Sequence, residues 1–352
     1  MKTSSGKLRI TFISHVYLPH VGGLEKTMYH LSDHIKKDGH EINFIVPRDP
    51  ADAPLFEIIN NIPVHRIEAP RMLANLNKKV TFAEVRSRTK AAIRNFYIMY
   101  RLLRAYKPDI VHIHNLHNLM TYTLLLSFVC RFKLVVSIQG FPILELPSLP
   151  RYNRWIFSMI LKRADYVTAC SACMLRDTAA MVPSIKKKSV PIHNGIHLEE
   201  FRHTFAFRHA RPYILPIANL HWYKGTDVLL MAFAKIATAY PDIDLMLVGD
   251  GSYKDTRLGL THLLGISSRV IFTGQIASRT KVIEFINGCE FFVLPSRYEP
   301  FGIANLEAMA AGKAVITTDA GGCPEVVKHR VNGIVVKAKN DSALAEAMKE
   351  LI

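Results

Sequence analysis

The feature that most constrains the fold of this sequence is a pattern that occurs twice. Residues 8–47, LRITFISHVYLPHVGGLEKTMYHLSDHIKKDGHEINFIVP, read as a strand, a glycine-bearing loop, an amphipathic helix and a second strand. Residues 212–251, PYILPIANLHWYKGTDVLLMAFAKIATAYPDIDLMLVGDG, repeat that order. A strand–helix–strand unit of this kind builds a parallel sheet covered by helices. The sequence therefore predicts an α/β protein with two Rossmann-like, doubly wound domains.

The length of the chain and its later strands support this division. A chain of 352 residues exceeds one ordinary core and suits two domains. Further strands are expected at DIVHIH, KLVVSIQ and DYVTAC in the first half, and at RVIFTG, CEFFVLP and KAVITT in the second. We predict domains at residues 1–200 and 201–352, with a hinge in the polar segment 195–212. Ligands are expected in a central cleft, where the carboxyl ends of the strands of the two sheets face each other.

No segment predicts a signal peptide or a membrane span. The apolar run after the basic amino terminus covers only Ile10–Ile13, and Tyr122–Cys130 is far shorter than the roughly 20 residues that a span requires. Five cysteines without a secretory signal favour a reducing cytosol, so we expect a cytoplasmic protein. Cys170 and Cys173 form one C-x-x-C without a second pair, which favours buried thiols over a zinc or redox site.

The net charge of +16 is concentrated in the first half of the chain. Residues 1–200 contain 28 Lys and Arg against 15 Asp and Glu, or +13, which leaves +3 for the rest. Between Lys78 and Lys107, nine basic residues accompany one acid, Glu84. An apolar stripe recurs there at helical spacing: Ile93, Phe96, Tyr97, Tyr100 and Leu103. The basic residues that accompany it are Lys90, Arg94, Arg101 and Arg104.

Two interpretations of this helix stay open. In the first, the stripe packs on the core and the basic residues are solvated. In the second, the helix rests on anionic lipid headgroups through Arg94, Arg101 and Arg104, and each cation near the surface adds about 1 kcal/mol. Nucleic acid is not an expected partner, because no helix-turn-helix, zinc-finger or RNP pattern accompanies the charge.

A second informative stretch, SRYEPFGIANLEAMAAGKAV at residues 296–315, places two carboxylates around a turn. Pro300 excludes helix at Glu299, and Gly302 permits close approach of a ligand to the backbone. A helix is expected from there, with Glu307 about one turn inside it. The two carboxylates are then up to about 12 Å apart along the axis at 1.5 Å per residue.

The expected helix runs from about Ile303 to Ala311 and ends at Gly312. Its first amides and its dipole favour an anion. The arrangement suits a sugar nucleotide, with the diphosphate at the helix start and one carboxylate at each end. Core packing of Leu306 and Met309 explains the helix but does not explain the two acids.

Two further candidates lie where a first strand ends. Lys224 precedes Gly225 in the second half and can pair with a diphosphate as a point charge. Gly22 and Gly23 precede the first helix in the first half, which allows backbone approach to an anion. By themselves both signals are weak, and the glycine pair is not the G-x-G-x-x-G dinucleotide fingerprint.

Taken together, these motifs resemble a known family. The E-x7-E pattern within SRYEPFGIANLEAMAAGKAVITTDAGGCPEVV is similar to the signature of GT4-type retaining glycosyltransferases with the GT-B fold. The segments VYLPHVGGLEKTMYHLSDHIKKDGHEI, DIVHIHN, VPIHNGIHLEEF and YKGTDVLLMAFA resemble the other landmarks of that family in the same order. The resemblance covers nearly the whole chain.

The resemblance implies the transfer of a hexose from a UDP- or GDP-linked sugar to a hydroxyl acceptor, with retention and without a metal or other cofactor. It implies that Glu307 binds the ribose, Glu299 the transferred sugar and Lys224 the diphosphate. The backbone of Phe301, Gly302, Ile303 and Ala304 would bind the phosphate and sugar. Gly22 and Gly23 would approach the diphosphate from the first domain on closure.

The chain departs from the family pattern at several positions. Gln139 stands where the family commonly has histidine near the reacting sugar, and glutamine cannot act as an acid or base. Asn219 stands beside the diphosphate where many members have arginine, which leaves Lys224 with more of the leaving-group stabilisation. His197 replaces the usual aspartate of NGID. The chain ends at Ile352 in a predicted helix, where a crossover helix back to the first domain is expected in the family.

The acceptor is expected on the first domain, near His15, His114 and Asn115. The charge of that domain indicates an anionic or lipid-linked acceptor, such as a surface-polysaccharide precursor at the inner face of the membrane. Catalysis would involve Glu299, Lys224 and Gln139. Two alternatives stay open: a catalytically impaired sugar-nucleotide-binding or membrane-docking protein, and a glycoside hydrolase that uses Glu299 and Glu307.

Two patterns in the sequence have the spacing of metal ligands. The acids Asp242 and Asp244 have D-x-D spacing, but they precede a strand, which favours accident. His112 and His114 share a strand face without an evident third ligand, which favours cleft-lining residues over a metal site.

Overall fold

A computed structural model describes residues 6–15, 17–18, 23–68, 81–115, 119–140, 149–202 and 204–352. Its tertiary contacts divide the chain into two compact units. The first unit comprises residues 1–170 and 174–192, and the second comprises residues 171–173 and 193–352. Each unit is built around its own sheet.

The described residues of the first unit form a sheet of eight strands in the spatial order 3-4-2-1-5-6-7-8. Neighbouring strands are parallel, except that the strands numbered 3 and 4 along the chain pair antiparallel. The strands are β1 Arg9–Ser14, β2 Glu41–Pro47, β3 Phe56–Ile59, β4 Ile62–Ile67, β5 Ile110–His114, β6 Lys133–Ile138, β7 Tyr166–Ala169 and β8 Ser189–Pro191. The helices up to the end of this unit are α1 Gly23–Lys37, α2 Phe82–Tyr106, α3 Leu119–Val129, α4 Arg151–Arg163 and α5 Ala172–Met181.

Aromatic side chains on the central strands hold part of the core of the first unit. Phe12 of β1 lies in register with Phe44 of β2, and their rings stack with centroids 5.1 Å apart. Tyr17 stacks on Phe44 at 4.0 Å. All three are buried. Burial of each large apolar side chain stabilises the fold by roughly 1.5–3 kcal/mol, which explains why the apolar runs of β1 and β2 become neighbouring strands.

Helix α2 begins at a capping box. The Thr81 hydroxyl accepts a hydrogen bond from the Glu84 amide, and the Glu84 carboxylate accepts one from the Thr81 amide. The cap satisfies two amides that have no acceptor within the helix. The helix ends at Lys107, which adopts the left-handed conformation with φ of 46°.

The single apolar stripe predicted for α2 is wrong in part. The face of α2 that packs inward contains Asn95, Met99 and Leu103, spaced four residues apart and buried. Ile93 and Tyr97 are instead 66% and 57% exposed. The buried face is rotated about the helix axis relative to the predicted stripe and shares only its Leu103 edge, so packing buries that edge and leaves the other in solvent. Within the described residues, no helix has the length and apolar character to cross a bilayer.

Apart from residue 203, the second unit is described throughout from residue 193 onwards, and there it contains six strands in the spatial order 11-10-9-12-13-14, all parallel. The strands are β9 Tyr213–Leu215, β10 Asp244–Val248, β11 Val270–Gly274, β12 Phe291–Leu294, β13 Ala314–Thr318 and β14 Ile334–Val336. The helices are α6 Glu199–Arg202, α7 Thr226–Ala237, α8 Lys254–Leu263, α9 Arg279–Gly288, α10 Ile303–Ala310, α11 Cys323–Val326 and α12 Asp341–Leu351.

The order of the second sheet determines where its loops meet. Strand β9 lies between β10 and β12, so the chain order reverses at the β9–β12 pair. A crevice opens at the carboxyl ends of two such strands, and ligands of open α/β sheets bind there. The loops that follow β9 and β12 therefore lie side by side. The six additional strands predicted from the sequence are confirmed as β5, β6, β7, β11, β12 and β13.

Candidate active site

The two loops at this crevice carry the lysine and one carboxylate singled out in the sequence. Lys224 follows β9 and Glu299 follows β12. The Lys224 Nζ donates a hydrogen bond to Glu299 Oε2 at 2.7 Å. Their side chains are only 17% and 10% exposed. The two residues therefore form a nearly buried ion pair at the switch point of the sheet.

Lys224 stays cationic in this environment. Burial disfavours the charged form of its ammonium, but the Glu299 carboxylate outweighs that penalty and raises the pKa of Lys224 above its usual value. The Ser296 hydroxyl donates a second hydrogen bond to Glu299 Oε2 at 3.1 Å. The site thus holds a positive charge and a hydrogen-bonded carboxylate within contact of each other.

Backbone contacts fix the two loops against each other. The Arg297 amide donates to the Tyr223 carbonyl at 2.7 Å, and the Arg297 side chain donates to both oxygens of Asp227 at 2.7 and 2.6 Å. Gly225 adopts φ of 65°, and a Cβ there would lie 2.1 Å from the Pro295 carbonyl oxygen. Glycine is required at that point because both the conformation and the close approach exclude a side chain.

Helix α10 begins at the expected glycine turn. Gly302 is its N-cap residue, with φ of 92°, and as a glycine it supplies no side-chain cap to the first amides. Ile303 and Ala304 occupy its first turn, where amides have no acceptor within the helix. Beneath the turn, the Gly322 amide donates to the Glu299 carbonyl at 2.8 Å. The predicted helix and its end are confirmed, with Gly312 at φ of 71° just past the last turn.

Glu307 lies in the middle of α10 and is nearly buried. Its Oε1 contacts Arg279 Nη1 at 2.6 Å. Sequence reasoning missed Arg279, as well as the roles of Ser296 and Arg297. Ser296 and Arg297 stand inside the stretch 296–315, whereas Arg279 lies 28 positions before Glu307 in a segment without a recognisable pattern.

Asn219 and Phe301, two further residues predicted on the donor side, follow β9 and β12. Asn219 is exposed in the loop after β9, and a Cβ on Gly251 would lie 2.5 Å from its Oδ1. Phe301 is buried, and its ring stacks on that of His193 at 5.1 Å. His197 is exposed.

Three predicted residues of the first unit follow neighbouring strands. His15 follows β1, Asn115 follows β5 and Gln139 follows β6. The backbone N–H of Gln139 donates a hydrogen bond to Asn115 Oδ1 at 2.9 Å. Gln139 Oε1 is buried and has no hydrogen-bond partner among the described residues. A buried acceptor of this kind is expected where a ligand hydroxyl donates. Gly22 lies outside the described residues, and Gly23 begins α1.

His112 and His114 differ in burial, since His112 is partly exposed, and their expected place along the cleft stays a prediction. Both rings contact Phe12, and His114 is fully buried. His112 Nε2 is hydrogen-bonded to Ser137 Oγ at 2.7 Å, and burial lowers the pKa of His112 to about 3. The alternating pattern of β5 places both rings on the face of the sheet that carries Phe12.

The other metal patterns have structural explanations. Asp244 of the D-x-D pattern is buried and accepts a hydrogen bond from Arg269 Nε at 2.8 Å. Cys170 is buried, with its Sγ 3.9 Å from Met174 Sδ, and Cys173 is partly exposed. Over the described ranges, no cluster of three His, Cys, Asp or Glu is arranged to hold a metal ion.

Comparisons with known proteins agree with this geometry. The Glycosyltransferase Family 4 model matches residues 21–200, and the Glycosyl transferases group 1 model matches residues 198–352. N-acetyl-alpha-D-glucosaminyl L-malate synthase of Bacillus anthracis is 27% identical over 344 residues, which cover 95% of this chain and 85% of that protein.

Two solved structures share the fold over almost the full length. Sucrose-phosphate synthase of Thermosynechococcus elongatus has a TM-score of 0.77 at 20% identity and covers 98% of this chain and 90% of its own. Anabaena HepE in complex with UDP has a TM-score of 0.76 at 20% identity, and the match covers 97% of this chain and 89% of the HepE chain. The chain therefore belongs to glycosyltransferase family 4 and has the GT-B fold.

Proposed function

We propose that this glycosyltransferase moves a hexose from a nucleoside-diphosphate sugar to a hydroxyl acceptor, with retention at the anomeric carbon and without a metal ion. The observation that carries the proposal is the nearly buried Lys224–Glu299 pair at the switch point of the second sheet, next to the start of α10 at Gly302. A UDP or GDP donor is proposed, and HepE, which shares the fold, has been solved with UDP.

The proposed chemistry is positional and electrostatic. Charge develops on the diphosphate as the bond to the sugar breaks, and fixed positive groups stabilise it. An ammonium has three donors, so Lys224 can keep Glu299 and still donate to a phosphate oxygen. The first amides of α10, at Ile303 and Ala304, face the same end of the sheet and favour an anion.

The carboxylates and Gln139 would orient the donor. Glu299 is held by Lys224 and Ser296, so its carboxylate is oriented before a sugar hydroxyl donates to it. Glu307 would accept from the ribose diol. Gln139, whose buried Oε1 has no partner in the described part of the chain, would accept from a hydroxyl of the sugar or the acceptor. No residue of the described chain is assigned as a nucleophile.

The acceptor is proposed to be anionic or lipid-linked, as in the assembly of a surface polysaccharide. Helix α2 supports this part of the proposal, because Ile93 and Tyr97 are exposed beside basic residues. The Arg101 guanidinium lies 6.0 Å from the centroid of the Tyr97 ring. An exposed face with apolar and basic side chains is typical of helices that bind anionic membrane surfaces.

The experiment is a thermal-shift series with UDP-, GDP- and ADP-sugars. A true donor raises the melting temperature, because it binds the folded state alone. Lys224→Met should weaken donor binding about tenfold or more, through loss of a charged hydrogen bond. Lys235→Met is the matched control, since Lys235 pairs with Asp341 on the surface of the same unit.

Two outcomes would contradict the proposal. One is that no nucleotide sugar stabilises the wild-type protein. The other is hydrolysis of a simple glycoside without any donor, which would instead favour the glycoside hydrolase alternative.

A further inference from the structure

Arg279 connects the carboxylate of Glu307 to a second acid and to an aromatic ring. Its Nη1 contacts Glu307 Oε1 at 2.6 Å, and its Nε donates to Glu200 Oε2 at 2.8 Å. Its guanidinium carbon lies 5.3 Å from the centroid of the Phe201 ring. The side chain of Arg279 is 23% exposed and that of Glu307 is 12% exposed.

The contacts join three separate elements, which fixes the guanidinium in place. Arg279 is the first residue of α9, Glu307 lies in α10, and Glu200 and Phe201 lie in α6. A planar guanidinium with donors on several edges can bridge two carboxylates and lie over a ring at the same time, which a lysine cannot do. Each contact removes rotational freedom from the Arg279 side chain, and therefore from the Glu307 carboxylate that it holds.

We propose that Arg279 is a positioning residue that holds Glu307 ready for the ribose hydroxyls of the donor, and that it thereby determines selectivity for a ribonucleotide. This inference rests on the proposed function. Each carboxylate oxygen has about two acceptor sites, so Glu307 can keep Arg279 on Oε1 and still accept from a diol. Without Arg279, Glu307 would have to be ordered at the moment of binding, which weakens the contact.

The test separates the ribose contact from the rest of the donor. Dissociation constants are measured by calorimetry for the nucleoside diphosphate that stabilises the wild type and for its 2′,3′-dideoxy counterpart. In the wild type, loss of the hydroxyls should weaken binding about tenfold or more, because hydrogen bonds to a charged group are lost. Glu307→Gln should abolish most of this discrimination.

The ratio of the dissociation constant of the dideoxy ligand to that of the ribonucleotide measures the contribution of the ribose hydroxyls. Arg279→Met should reduce this ratio to about threefold or less, which reflects a weak remaining hydrogen bond. Arg279→Lys should restore part of it, since the charge remains while the planar fork is lost. A general loss of positive charge would weaken both ligands equally and leave their ratio unchanged, so the ratio reports on the ribose alone. If Arg279→Met does not fold, the inference is tested with Arg279→Lys. A ratio for Arg279→Lys equal to that of the wild type then contradicts the inference.

Arg330→Met is the matched control. Arg330 donates to both oxygens of Glu350 at 2.9 Å in the same unit, but that pair is exposed. Its loss should leave the ribose discrimination at the wild-type value. The inference is overturned if Arg279→Met folds and discriminates like the wild type. If no nucleoside diphosphate binds the wild type at all, the proposed function itself fails, and this inference fails with it.

Discussion

At the scale of single residues, the Lys224–Glu299 pair couples stability to function. We expect Lys224→Met to lower the free energy of unfolding by about 3–5 kcal/mol, because it leaves the nearly buried Glu299 carboxylate without its cation. The double variant Lys224→Met with Glu299→Gln should regain part of that loss, since an amide has no charge to compensate. Urea denaturation of the wild type and the variants measures these differences.

The comparison for this pair is Lys235→Met, which removes a surface ion pair. Such a pair contributes about 0–1 kcal/mol, so this variant should unfold nearly like the wild type. If Lys224→Met and the double variant have equal free energies of unfolding, an unpaired Glu299 carboxylate is not the cause of the lost stability.

Variants of Gln139 test whether the protein is an active transferase or only binds a sugar nucleotide. Its buried Oε1 has no partner among the described residues, so we expect Gln139→Leu to lower kcat/KM about three- to tenfold through loss of one hydrogen bond to the substrate. The measurement is a steady-state assay with the donor found by thermal shift. If the wild type is inactive and Gln139→His is active, the alternative of an impaired protein gains support.

At the scale of elements, the basic residues of α2 test the hypothesis that the protein binds an anionic membrane surface. We expect the charge reversals Arg94→Glu, Arg101→Glu and Arg104→Glu to abolish flotation of the protein with liposomes that contain anionic lipid. Each basic residue near such a surface contributes about 1 kcal/mol, and reversal changes attraction into repulsion. Neutral liposomes should bind neither protein.

A second triple reversal with the same change in net charge provides the control for α2. Arg131, Lys186 and Lys187 are exposed in the same unit and lie outside α2, so their reversal should leave flotation largely intact. If both triple variants still float like the wild type, the helix only packs on the core. Arg94 pairs with Glu68 at 2.7 Å, so melting temperatures of both variants are measured as well.

At the scale of the whole molecule, two separate cores predict unfolding that is not two-state. Each unit has its own sheet, so the calorimetric enthalpy of unfolding should exceed the van't Hoff enthalpy. The donor should shift the transition of the second unit more than that of the first, because Lys224, Glu299 and Glu307 all belong to the second. A single transition with equal enthalpies would contradict this prediction in differential scanning calorimetry.

Much of this architecture could be predicted from the sequence. The strands around β5, β6 and β12 follow from short apolar runs, and α10 follows from Pro300 and Gly302, because these signals act over a few residues. The role of β9 next to β12 could not be derived in the same way, because strand order depends on packing between distant segments. The buried position of His114 was missed for a related reason: alternation predicts that two residues share a face, but not which face is the interior.

The sequence by itself determined the strand–helix–strand unit that opens each half, the glycine turn before α10 and the uneven charge, because hydrophobic period, backbone restriction and composition are local properties. Only the tertiary structure decided that Lys224 meets Glu299, 75 positions away, and that Arg279 holds Glu307. It also decided which part of α2 faces solvent. The physical reason is that ion pairs and burial depend on which distant segments pack together, and no local pattern in the chain encodes that choice.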